Sequence, residues 1–104
     1  MTIVRAEFHV GQVVTHNKFG YRGVIYDIDP VFSLSDEWYE QVATSRPPKD
    51  RPWYRVLREG GQETYVAERH LDVEPEPQPV EHPEVFTHFD AFRGGCYVRD
   101  RALN

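Results

Sequence analysis

The sequence predicts a mainly β fold, a small barrel of about five antiparallel strands. Three observations predict it. Short runs rich in β-branched and aromatic residues recur between Val10 and Val73, each bounded by glycine, proline or asparagine. Gly60-Gly61 separates two of these runs as a tight hairpin does, because the primed turns need positive φ. Strands this short leave unpaired edges, and closing them into a barrel is an economical way to remove those edges.

The elements follow in order. Val10 to His16 forms the first strand, entered through a bend at Gly11, and Asn17-Lys18-Phe19-Gly20 turns the chain, since Asn and Gly tolerate positive φ. Arg22 to Asp29 forms the second strand, with Val24, Tyr26 and Ile28 on one face and Ile25, Asp27 and Asp29 on the other. Pro30 lacks an amide hydrogen and ends it. Ser33-Leu34-Ser35-Asp36 matches a capping pattern, a hydroxyl followed three residues later by an acid. Leu34, Trp38 and Val42 then recur every four residues, which predicts a helix of about two turns docked by Trp38. Three prolines within Arg46-Pro47-Pro48-Lys49-Asp50-Arg51-Pro52 exclude regular structure and predict an exposed, semi-rigid loop. Trp53 to Arg58 and Glu63 to Ala67 are the third and fourth strands. Ala67 to His70 is a single helical turn, and Leu71 to Val73 is the last strand. This order is SH3-like, with residues 31–52 inserted after the second strand and the barrel occupying residues 1–73.

From Glu74 the composition changes. Pro75, Pro77, Pro79 and Pro83 alternate with acids, so residues 74–104 read as an acidic, Pro- and Phe-containing tail unable to bury enough apolar surface to form a core element. Phe86, Phe89 and Phe92 recur every three residues, which permits a short amphipathic helix and makes them the candidate partner-binding residues. Two readings stay open for this tail. It is a strap that orders on a partner, or it folds across an open edge of its own barrel or of a neighbouring copy.

The totals bound the function. At 104 residues the chain is one domain, large enough to fold but not to enclose a deep substrate cavity. Cys96 is the single cysteine, so no internal disulfide framework exists. Met1 to Arg5 lacks a signal-like apolar core and no run has membrane-spanning length, which places the protein in the cytoplasm, away from any membrane. Net charge is -5, unevenly spread: 9 basic residues face 10 acidic ones from Met1 to Leu71, and 3 face 7 from Asp72 to Asn104. Charges separated by more than about 8 Å are largely screened at physiological salt, so local clusters matter more than the sum.

Three constellations carry possible chemistry. Asp27 and Asp29, about 6–7 Å apart on one strand face, have a spacing that admits a carboxylate pair. They lack the oxygen ladder and sixth-position glycine of a calcium loop, and a strand exit before proline is the simpler account. In that account they end the strand and aim Phe32 and Trp38 onto the barrel. His9, His16, His70, His82 and His88 are scattered without zinc-ligand spacing, so neither a metal nor a cofactor is expected. The third constellation is basic. Arg46, Lys49, Arg51, Arg55 and Arg58 fall within thirteen residues opposed only by Asp50, a local balance of +4, beside the aromatic faces of Trp53 and Tyr54. Arginine forks match phosphate oxygens, so these five are the candidate nucleic-acid-binding residues, with duplex DNA as the partner. The opposing account is a solvated loop paired with the acidic tail.

Several segments resemble a known family: GQVVTHNKFGYRGVIYDIDPVF, the trio Asp36-Glu37-Trp38, RPWYRVL and TYVAERHL, with His82-Pro83 further on. They look like the YccV-like domain, also called heat shock protein Q, over most of the chain. The resemblance implies an SH3-like barrel without known catalysis. It further implies binding to DNA with a preference for hemimethylated duplex, and a heat-shock role in degrading denatured proteins through a cytoplasmic protease. The family offers no agreed active site to carry over. The very short Gly60-Gly61 turn and the Gly94-Gly95-Cys96 segment depart from its commoner pattern. The expectation is a non-enzymatic, heat shock protein Q-like binding module. The alternative is an adaptor for a cytoplasmic protease or its clients that does not bind DNA, and an exposed sheet edge leaves room for a homo-oligomer.

Overall fold

A computed structural model of the chain describes residues 5–99. Met1 to Val4, and residues 100–104 of the expected tail, lie outside the described residues.

Strands β1 (Val13–His16), β2 (Arg22–Asp29), β3 (Trp53–Arg58), β4 (Gln62–Ala67) and β5 (Leu71–Val73) form one antiparallel sheet in the order β4-β3-β2-β1-β5. Helix α1 (Asp36–Val42) follows β2, and a 3-10 turn, Glu68–His70, leads into β5. The five strands, the helix and the turn fall where the sequence places them, within a few residues. The closed barrel does not form. β4 and β5 remain the two edges of an open sheet. The three residues of β5 pair only with Val14 to His16 of β1, while the β1–β2 turn, the 42–47 loop and His70 line a hollow along β4 where closure would occur.

The sheet is buried on both faces, and this explains its doubled apolar pairs. Neighbouring residues point to opposite faces. Val14, Ile25 and Val56 enter one cluster with Phe8, Tyr54, Val66 and Leu71. Their neighbours Val13, Val24 and Leu57 enter a second cluster with Val80, Val85, Phe89 and Tyr97. The second cluster corrects the reading of the C-terminal segment as a tail unable to join the core. Residues after Glu74 form helix α2 (Val85–His88) and a hairpin of β6 (Ala91–Arg93) and β7 (Cys96–Val98), and they cover the outer face of the sheet. Proline and acid dominate the composition of that segment, but four well-spaced apolar side chains suffice when a preformed apolar sheet face receives them. Gly11 fixes the join. Its amide donates to the Ile25 carbonyl at 2.7 Å and its carbonyl accepts from Tyr97 N at 2.8 Å. At φ +94° and with the Tyr97 carbonyl 2.1 Å from where a Cβ would stand, only glycine fits there.

Four local expectations change. A β-bulge between Ile25 and Asp27 moves Ile28 to the Ile25 side, so Ile28 does not share a face with Val24 and Tyr26. The cap of α1 is Ser35, not Ser33: its Oγ accepts from Trp38 N at 3.1 Å. The buried stripe of α1 is Tyr39 and Ala43, with Trp38 beside it, whereas Val42 is 55 % exposed. Nor is the proline-rich loop simply exposed. Pro47 and Pro52 are buried, and the Pro47 and Pro48 carbonyls accept from the Tyr39 hydroxyl and the Trp53 indole at 2.7 and 3.0 Å.

Candidate nucleic-acid interface

β4 is an edge strand, and an open hollow of about 480 Å³ straddles it. Alternation along β3 and β4 puts Arg58, Thr64 and Val66 on one side of the sheet and Trp53, Arg55, Glu63 and Tyr65 on the other; all of them line the hollow.

The Arg55 side is aromatic and internally neutralised. Phe32 packs against Trp38, Tyr39 and Trp53 with ring centroids 5.9, 5.3 and 5.0 Å away, and Trp53 stacks on Tyr65 at 5.2 Å. Arg55 lies over the Tyr65 ring at 4.9 Å and bridges Asp29 at 3.3 Å and Asp27 at 3.9 Å. The Tyr65 hydroxyl donates to Asp29 at 2.7 Å; burial and that hydrogen bond push its pKa up to about 12. The two aspartates that the sequence singles out are thus the anchor of Arg55 and Tyr65. Asp27 also accepts from Ile28 N at 2.9 Å as the strand ends, and Phe32 is aimed onto the aromatic cluster as expected.

The Arg58 side is different. Arg58 lies over the Tyr21 ring at 4.3 Å, and the Tyr21 hydroxyl donates to Thr64 Oγ1 at 2.9 Å. His16, only 5 % exposed, sits between Phe19 and His70, its ring 4.7 and 5.4 Å from theirs. Its Nδ1 accepts from the amides of Lys18 and Phe19 at 3.1 and 3.0 Å, so the proton of the neutral ring is on Nε2. Burial, then the fields of His70, Lys18 and Arg58, lower the His16 pKa to about 4. His70, also lowered by burial and by Arg69 and Lys18, sits 2.7 Å from Ser45 Oγ through its Nε2. Among the described residues neither Arg58 nor Lys18 has a carboxylate at ion-pairing distance. Phe19 stands at the rim, 67 % exposed.

The five sequence-predicted cations are therefore not one patch. Arg55 and Arg58 enter the hollow from opposite sides of the sheet. Arg46 pairs with Glu40 at 2.7 Å, and Lys49 pairs with Asp36 at 3.1 Å while resting 4.3 Å from the Tyr39 ring. Arg51 borders a separate, more polar hollow beside Glu7, Glu68 and Asp72. Of the phenylalanines, Phe89 is 1 % exposed and packs inward, Phe92 is half-buried against Tyr97, and Phe86 is 72 % exposed. His82 and His88 serve the C-terminal wall, contacting the Gln62 carbonyl at 3.0 Å and the Tyr26 ring at 4.6 Å. The Cys96 thiol donates to the Arg93 carbonyl. Among the described residues no three His, Cys, Asp or Glu side chains converge as a metal site, and no helix is long and apolar enough to cross a membrane.

Sequence reasoning passed over His16, Lys18, Phe19, Tyr21 and His70. The pairing of His16 with Leu71 across β1 and β5 brings the two histidines together, and no local signal announces that register.

Comparison with known proteins identifies the family. A family model described as hemimethylated DNA-binding protein YccV like matches residues 6–96. F-box only protein 21 of Mus musculus is 34% identical over 98 residues, and that of Homo sapiens is 33% identical over the same length. In each case 92% of this chain is covered, but the chain spans only 16% of the relative, so the likeness is to one module of a longer protein. The chain belongs to the YccV-like hemimethylated DNA-binding protein family.

Proposed function

We propose that the chain is a non-enzymatic module that binds duplex DNA at the hollow straddling β4, with Arg58 and Lys18 meeting backbone phosphates. The observation that carries this reading is Arg58, a guanidinium laid over Tyr21 in an open hollow with no carboxylate beside it among the described residues. A cation so placed has its phosphate-binding capacity unspent. Arg55 contributes less, because Asp27 and Asp29 already neutralise it. Arg46, Lys49 and Arg51 are peripheral contacts. Preference for hemimethylated duplex requires an apolar contact to a methyl group, and Phe19 at the rim offers one.

The test is fluorescence anisotropy with unmethylated, hemimethylated and fully methylated duplexes over a salt series. One phosphate neutralised by Arg58 and Lys18 together gives a slope of log affinity against log salt of about -0.9, and each peripheral contact steepens it by up to about the same amount. Absence of binding at low salt overturns the reading.

A second reading has its own support. Phe19 and Val42 present exposed apolar surface along the hollow, and Phe86 does so elsewhere, which suits an adaptor for a cytoplasmic protease or its denatured clients. The likeness to heat shock protein Q favours such a role in the cytoplasm, in addition to DNA binding or in place of it. A free β4 edge suits self-association. Pull-down of a named protease with wild type and with Phe86→Ser tests the adaptor role, and mass measurement in solution tests the oligomer.

A further inference from the structure

The geometry points to a phosphate pocket on the Arg58 side of β4, formed by His16 Nε2–H, the Arg58 guanidinium and the Lys18 ammonium, that seats one backbone phosphate of bound DNA. It rests on the DNA-binding reading and names where the contact is made. Three observations carry it.

First, His16 is a buried donor of fixed polarity. Two backbone amides occupy Nδ1, so the proton is on Nε2, which points away from the turn that supplies them. Phe19 and His70 stack on the ring, and Tyr21 tilts against it at 5.0 Å. Among the described residues Nε2 has no hydrogen-bond partner, yet it is not sealed, because the one fully buried side-chain polar atom without a partner there is Arg22 Nε. His16 lines the hollow, the nearest open space for this donor. Second, Arg58 and Lys18 border the same hollow as His16. The guanidinium lies over Tyr21, whose ring is 5.0 Å from His16, and the Lys18 ammonium lies 5.5 Å from the Phe19 ring that stacks on His16. Among the described residues neither cation is ion-paired. Third, the supports are rigid. Tyr21 lies under Arg58 and is itself tied to Thr64, so the guanidinium is held without a carboxylate that a phosphate would have to displace. Three donors bordering one hollow, two of them cationic and none paired with a carboxylate among the described residues, suit a tetrahedral oxyanion with non-bridging oxygens.

The experiment uses the full chain, labelled with nitrogen-15, titrated at neutral pH and constant ionic strength with inorganic phosphate and separately with a short duplex lacking terminal phosphates. Phosphate is expected to shift the His16 ring nitrogens and to compete with the duplex, which shifts the same signals. Arg58→Gln is expected to weaken phosphate binding about tenfold, and Lys18→Gln by less, while the amide spectrum elsewhere stays unchanged. If duplex binds without moving His16, the pocket is overturned and the DNA reading survives. If phosphate moves His16 but no duplex binds, the DNA reading fails and the oxyanion pocket stands without its assigned source. If a phosphopeptide displaces phosphate where the duplex does not, the assignment to nucleic acid is overturned.

Discussion

The two sides of β4 carry the same pair of residue types, an arginine over a tyrosine, yet they are built for different ends. On one side Arg55 over Tyr65 is locked to Asp27 and Asp29 within a cluster of tryptophan and phenylalanine rings. On the other, Arg58 over Tyr21 has no carboxylate at ion-pairing distance among the described residues and borders the same hollow as His16 and Lys18. The first arrangement spends its charge inside the molecule and stabilises the fold. The second leaves its charge without a carboxylate among the described residues, and in the proposed function that charge meets a phosphate. An arginine on a ring is therefore not in itself a binding residue. What surrounds its remaining N–H groups decides.

Four measurements break or sharpen this contrast. The largest effect is expected on the aromatic side, where Trp53→Ala removes a fully buried ring and destabilises the protein by about 3–5 kcal/mol, read by thermal or urea unfolding. Next comes acid. The His16 pKa is about 4 when folded and about 6.5 when unfolded, so the neutral ring favours the fold above pH 6.5. That contribution fades as pH falls from 6.5 towards 4, a loss on the order of 2–3 kcal/mol in urea titrations at the two ends of the range. In His16→Phe the pH dependence over this window should flatten. Third, Arg58→Gln should weaken duplex binding about tenfold with little change in melting temperature, whereas Arg55→Gln should show the opposite balance. The smallest effect tests the contrast most directly. Asp29→Asn relieves part of the neutralisation of Arg55, and duplex affinity should rise about two- to threefold while the salt slope steepens towards about one further phosphate contact.

The strands, the hairpin at Gly60-Gly61, the 3-10 turn and the family were legible from the sequence, because each rests on short-range rules of alternation, turn chemistry and proline. The second core was harder. Its signal was present in Val13-Val14, Val24-Ile25 and Val56-Leu57, adjacent apolar pairs that imply a sheet covered on both faces. The acid and proline after Glu74 hid the cover, since Val80, Val85, Phe89 and Tyr97 are spread over eighteen residues among prolines, acids and histidines. Barrel closure is not legible in the sequence because it depends on whether two edges meet, which strand count alone does not determine. The candidate site was only half visible. A run of cations in sequence suggested one patch, but Arg55 and Arg58 fall on opposite sides of a strand, and Arg46 and Lys49 are claimed by acids of α1. The His16 and His70 pair depends on residues more than fifty positions apart.

The packing of Val80, Val85, Phe89 and Tyr97 against the outer sheet has a practical consequence for anyone cutting or grafting this module. A fragment ending at Val73 would keep all five sheet strands yet bare Val13, Val24 and Leu57 to water, and it would be expected to precipitate rather than report on function. The transplantable unit runs through Val98, and any fusion partner belongs beyond that point.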